Sequence, residues 1–171
     1  MGKLNTKWVA TIMVAGFWVF LATACGTSTN KSASNTNSTV LLSTQQNNGN
    51  LVVSVNVKNI SDLYGAAVTL SYDPTVLKYQ NAEAGGLLNA NNAQTNFLAA
   101  EEAGANGVVV LGYSRQGIEN GVSGSGTIAN VNFSVLNKAG SLVTITSIVL
   151  KDSKGNIINT GSVNPSINVG N

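Results

Sequence analysis

The sequence predicts an all-β fold, a two-sheet sandwich, on three observations. From about residue 39 onward short segments alternate apolar and polar side chains, clusters of Gly, Asn, Asp, Ser and Pro separate them, and no segment carries a sustained helical stripe capped at both ends. A period of two puts one set of side chains on the core face of a strand and the other in water. Regularly spaced strands of this kind fill about 130 residues, enough for one domain with its own core.

The chain begins differently. MGKLNTK carries two lysines and no acid, and WVATIMVAGFWVFLATA is an apolar run that ends in small residues. A positive start, an apolar stretch and the small-residue segment Ala22-Thr23-Ala24 together make an export signal. The run is at the short end for a membrane-spanning helix and small residues close it, which disfavours an uncleaved span. Residues 1–24 are therefore expected to be a signal peptide.

Cys25, the single cysteine of the chain, follows at once. Its place after small residues fits a bacterial lipoprotein, in which the sulfur is diacylated and cleavage leaves the cysteine first. Leu21 lies one position further upstream than the usual leucine. Ordinary cleavage after Ala24 is the rival and would leave a free thiol. A lone thiol can form no intramolecular disulfide and is a liability in an oxidising compartment, so lipidation of Cys25 is favoured. Each buried methylene of such a lipid contributes about 0.8 kcal/mol, and more than one chain gives stable anchoring. A myristoylation pattern at Met1-Gly2 and Thr6 is a chance match, because an export segment lies directly behind it. Gly26 replaces the aspartate of an inner-membrane retention signal, which points to the outer membrane or cell surface of a bacterial envelope.

Residues 25–38 are then a lipidated start and a tether. GTSTNKSASNTNST has almost no apolar side chain and cannot bury enough surface to offset the entropy of ordering.

The strands follow within residues 39–171. In LVVSVNVKN the side chains of Leu51, Val53, Val55 and Val57 share a face; in GAAVTLSYD Ala66, Val68, Leu70 and Tyr72 do; in TIANVNFSV Ala129, Val131, Phe133 and Val135 do. VVVLGY and LVTITSIVL are rich in β-branched residues and read as strands too. Turn clusters lie at Gln45 to Asn50, Asp73-Pro74, Asn89 to Asn92, Gly121 to Gly126 and Asp152 to Asn156.

Charge and residue types exclude several functions. The whole chain carries 9 basic and 7 acidic residues. Loss of Lys3 and Lys7 with the signal leaves seven of each sign, a net charge of zero, so there is no basic stripe for nucleic acid. Histidine is absent, which removes the commonest general base and metal ligand. Glu101-Glu102 are adjacent and on a strand would point to opposite faces, so they would not flank one glycosidic bond. Gly124-Ser125-Gly126-Thr127-Ile128-Ala129 leads into a strand rather than from a strand into a helix, the wrong context for a dinucleotide fingerprint. Asp152 to Asn156 lacks the ligand series of a calcium loop and reads as a hairpin turn. A non-enzymatic protein with no metal site and no cofactor besides the covalent lipid on Cys25 is expected.

VSVNVKNISDLYGAAVTLSYDPTVLKYQNAEAG, then GVVVLGYSRQG, then GSGTIANVNFSVLNKAGSLVTITSIVLKDSKGN together resemble a cohesin domain. The features are a strand ending in Tyr72-Asp73-Pro74, the Val76-Leu77 after it, and Gly126 leading to a strand of the form x-x-Ala-x-Val-x-Phe that ends at Phe133. The resemblance implies a nine-stranded jelly-roll sandwich, without a metal of its own, that docks another exported protein bearing a dockerin, the calcium being carried by that partner. It also implies a contact on one flat sheet face, with Gly65, Ala67 and Thr69 on one strand and Leu111, Ser114 and Arg115 on the next. Small Gly65 and Ala67 stand where family members usually present polar side chains, which implies a smaller, more apolar contact. The second function class is polysaccharide binding at the cell surface. It lacks an obvious aromatic platform, since Trp8 and Trp18 lie in the signal and Tyr72 and Phe133 point inward by alternation. A structural subunit of a surface assembly, pairing through strand edges, is the third.

Overall fold

The computed structural model describes residues 33–104, 107–117 and 120–169. The expected signal peptide and Cys25 lie outside them. Nine strands follow in order: β1 (Ala33–Asn47), β2 (Asn50–Ser71), β3 (Leu77–Ala84), β4 (Thr95–Glu101), β5 (Val108–Arg115), β6 (Val122–Val135), β7 (Ser141–Asp152), β8 (Ile158–Asn164) and β9 (Ser166–Val169). A single short 3-10 turn, Ala90–Asn92, is the one helical element among the described residues.

Two of the expected strands form one. β2 is 22 residues long and serves both layers of the sandwich. Its first half pairs with β1 and β6, and its second half with β5 and β7. The layers are thus β3-β6-β2-β1-β8 and β4-β5-β2-β7-β9. Between the halves the buried set changes from the odd positions Leu51, Val53, Val55 and Val57 to the even positions Ala66, Val68 and Leu70. Register shifts on either side of Ile60, with Asn59 and Asp62 at φ 52° and 54°, accomplish the change. Asn and Asp tolerate this left-handed conformation better than other side-chain-bearing residues. The bend is pinned by side chains: the Asn59 and Asp62 N–H groups donate to the Ser125 and Ser123 hydroxyls, each at 3.0 Å, and the Asp62 carboxylate accepts from the Gly121 N–H at 2.9 Å and the Ser153 hydroxyl at 2.8 Å.

The inward faces meet in one core. Phe133 is buried and its ring lies edge-on to Tyr72 at 4.9 Å and to Tyr79 at 6.3 Å. Val68, Leu70, Val109, Leu111 and Val143 line the opposing layer. Asn48-Gly49, with φ of 47° and 82°, joins β1 to β2 in the two-residue turn that suits the right-handed twist of paired strands.

Two expectations are corrected, and four strands answer to no segment read from alternation. β1 starts at Ala33 and pairs in parallel with β8 from Ala33↔Ile158, so the sheet begins inside the segment expected to be a tether. Ladder bonds come from backbone groups, and polar side chains do not prevent them. Gly121 to Gly126, expected as a turn, lies mostly within β6, where it follows the bend of β2 through register shifts. Finally, β3, β4, β8 and β9 carried no alternation strong enough to read, and they are the four edge strands of the two layers. An edge strand covers less of the core, so fewer of its positions must be apolar.

Candidate functional site

The outward face of the β7-β2-β5-β4 layer carries a groove. With Ala66, Val68 and Leu70 committed to the core, Gly65, Ala67 and Thr69 face water. Antiparallel register sets their neighbours in rows: Gly65 between Lys151 and Ser114, Ala67 between Val149 and Gly112, Thr69 between Ser147 and Val110. β4 completes the second row with Leu98 opposite Gly112. The middle of the face is therefore Gly65, Ala67 and Gly112, and its walls are Leu98 and Val149.

The resulting depression holds about 290 Å³ and has Lys151 as its one charged lining residue, beside Asn96 and Ser114. Leu98 is 68% exposed, Val110 43% and Val149 37%, in each case a large aliphatic side chain left in water. A run of exposed aliphatics around a floor of small residues has the form of a contact surface for an apolar side chain.

The structure separates the six expected contact residues. Gly65, Ala67, Thr69 and Ser114 all face outward on this layer. Leu111 does not: it is 2% exposed and packs in the core. Leu111 and Ser114 are three residues apart on one strand and so occupy opposite faces, and the apolar positions beside Ser114 in parity are Val110 and Gly112. Arg115 is also turned inward, 6% exposed, with its Nη1 donating to the Leu88 carbonyl at 3.0 Å. Tyr113, on the same side, donates from its hydroxyl to the Gly85 carbonyl at 3.1 Å. These two side chains fasten the segment after β3 to β5, which makes Arg115 an internal strut.

Sequence reasoning missed Leu98, Val110, Gly112 and Val149. The run Val108-Val109-Val110-Leu111 is apolar at both parities and carries no facing signal. The signal lay just after it, where Gly112 and Ser114 share a parity that no core face would choose.

At the far end of this layer the Tyr72 hydroxyl donates to Glu101 Oε1. Burial, then the hydrogen bond to this carboxylate and its charge, push the phenol up to about 12. Burial and the Glu101 charge also raise Tyr79. In the β7–β8 turn the Asn156 side chain, opposed by burial but joined by the Asn156 and Lys154 N–H groups and the Lys154 charge, holds Asp152 below the usual carboxylate range. Tyr72 and Asp152 have hydrogen-bond partners inside the fold, and none of the three titrating groups lines the groove. Among the described residues no group of three or more Asp, Glu, His or Cys could hold a metal ion, and no helix is long and apolar enough to cross a membrane.

Comparison with known proteins agrees with the geometry. No curated protein matches the chain in sequence. Among solved structures, a non-cellulosomal cohesin from the hyperthermophilic archaeon Archaeoglobus fulgidus is similar at a TM-score of 0.62 and 20% identity, covering 79% of this chain and 92% of that one. A type II cohesin domain from the cellulosome of Acetivibrio cellulolyticus gives 0.66 at 20% identity, with 78% and 95% covered. The sixth cohesin of scaffoldin B from the same organism, solved in complex with a dockerin, gives 0.63 at 22% identity, with 78% and 99% covered. At these identities the likeness concerns the fold. The profile of the cohesin domain, a non-catalytic protein-binding module, matches residues 30–169, and the chain therefore belongs to the cohesin domain family.

Proposed function

We propose that this chain is an exported, membrane-tethered receptor that captures a second exported protein bearing a dockerin, with Cys25 as the lipidated anchor. The observation that carries the reading is the groove between Leu98 and Val149 over Gly65, Ala67 and Gly112. Family membership supports the partner class, and two structural neighbours have been solved in complex with a dockerin. Calcium belongs to the partner in this reading. The small floor replaces polar contacts with an aliphatic seat, so the partner presents a branched apolar side chain, flanked by groups that bond Asn96 and Ser114. The anchor places the module at the outer membrane or cell surface of a bacterial envelope.

The test is capture. The full chain in detergent, immobilised, is exposed to envelope and secreted proteins with calcium and again with a chelator, and retained proteins are identified by mass spectrometry. Retention of a dockerin-bearing protein only with calcium is expected. Retention of nothing, or equal retention of the same proteins under chelation, overturns the dockerin assignment. Metabolic labelling with an alkyne fatty acid tests the anchor separately: label is expected on the chain and absent from Cys25→Ser.

A further inference from the structure

The layer opposite the groove has a different outward face. Its water-facing amides and hydroxyls bond one another across every strand boundary from β3 to β8. The Asn132 amide donates to Asn81 at 2.6 Å, the Ser54 hydroxyl to Asn130 at 2.7 Å, the Thr127 hydroxyl to Asn56 at 2.8 Å and the Asn56 amide to Ser43 at 2.9 Å, while the Thr39 and Ser162 hydroxyls lie 2.9 Å apart. Held this way, the side chains have little rotamer freedom left to lose on binding.

A depression of about 390 Å³ interrupts the face beside the register shift between Val55 and Asn56. Half-exposed Leu41 gives it an apolar floor, and Ser43, Asn56, Lys58 and Ser125 form its rim. Small-ligand sites span roughly 300–1,000 Å³ and combine an apolar floor with a few fixed polar groups. Lys58 is the one charge here, and none of the bonded pairs carries any. A strongly charged ligand finds no matching patch, whereas amides and hydroxyls offer donors and acceptors together, as vicinal sugar hydroxyls require. Strands recur about every 4.8 Å. That spacing is close to the length one pyranose unit adds to an extended β-linked chain, so a glycan crossing the strands would meet a new polar pair at each sugar.

We propose that this face binds a neutral polysaccharide laid across β6, β2 and β1, with one sugar seated over Leu41. The site is independent of the groove and lets one module hold a glycan on one layer and a protein on the other.

The test is depletion of the full chain, in detergent, by insoluble cellulose, xylan and chitin, with polygalacturonate as the charged comparison. Retention on at least one neutral polysaccharide is expected, reduced about tenfold by Asn56→Ala and by Ser43→Glu, the equivalent of about 1.4 kcal/mol. Ala67→Asp, on the other layer, is expected to leave retention unchanged. Thermal melts establish folding, and because Ser43 is exposed its variant decides the matter if Asn56→Ala unfolds. Passage through all three neutral polymers, retention that survives both substitutions, equal loss in Ala67→Asp, or preference for polygalacturonate overturns the proposal.

Discussion

Gly112 stands directly opposite Ala67 in the β2–β5 ladder, and a β-carbon built on Gly112 would meet nothing within 4 Å. The groove owes its depth to this pair, because either residue can gain a side chain only by filling it. Gly112→Val is expected to leave the melting temperature unchanged or slightly raised, since β-branched residues favour strands. The same substitution, and Ala67→Asp, should weaken partner capture at least about tenfold, as central contact positions do. Paired melts and capture assays check both halves; a loss of capture that tracks a loss of stability would count against the groove.

Leu111 and its neighbour Val110 give opposite expectations. Leu111→Ala empties a buried site and should cost about 2–5 kcal/mol. Val110 is 43% exposed, so Val110→Ala should cost about 0.5 kcal/mol or less and act on capture instead. Urea unfolding of the two variants reads the facing of β5 directly.

Arg115 holds the Leu88 carbonyl from within the fold. Arg115→Met keeps most of the volume and removes the donor, which should destabilise by about 1–3 kcal/mol. Amide hydrogen exchange is expected to quicken around Leu87 and Leu88 before it does so in β5. Arg115→Lys should not restore protection, because a single ammonium does not reproduce the planar fork of a guanidinium.

Tyr72 predicts an alkaline limit. Its phenol is raised from 10.0 to about 12 by burial and by Glu101. The fold therefore favours the neutral ring: that stabilisation is complete below about pH 10 and is lost as pH rises through about 12. Tyr72→Phe should flatten the fall in urea midpoint over that window while lowering stability near neutrality through the lost hydrogen bond. Asp152 works in the other sense. Its carboxyl is held below 3.8, so its contribution is present above that value and lost as pH falls, and Asp152→Asn should reduce acid sensitivity. Midpoints measured across both pH ranges check the two signs.

The sequence by itself determined the all-β class, the inward sets of β2 and β6 and the turns at Asp73-Pro74 and Asp152 to Asn156, because strict alternation and turn chemistry are local and survive without knowledge of neighbours. Alternation also set Gly65, Ala67 and Thr69 opposite the core set, whereas Ser114 came with Leu111 and Arg115 from the family resemblance, and of those three only Ser114 faces outward. Only the tertiary structure decided that the two halves of β2 are one strand bent at Asn59 and Asp62, that β1 reaches back to Ala33, and that Val110 rather than Leu111 faces water. The reason is common to all three. A bulge changes the parity of everything beyond it, a polar strand pairs through its backbone, and an apolar run with no alternation takes its facing from the strands that flank it. The groove is of the same kind: Leu98, Gly112, Ala67 and Val149 come from four strands, and only register makes them neighbours.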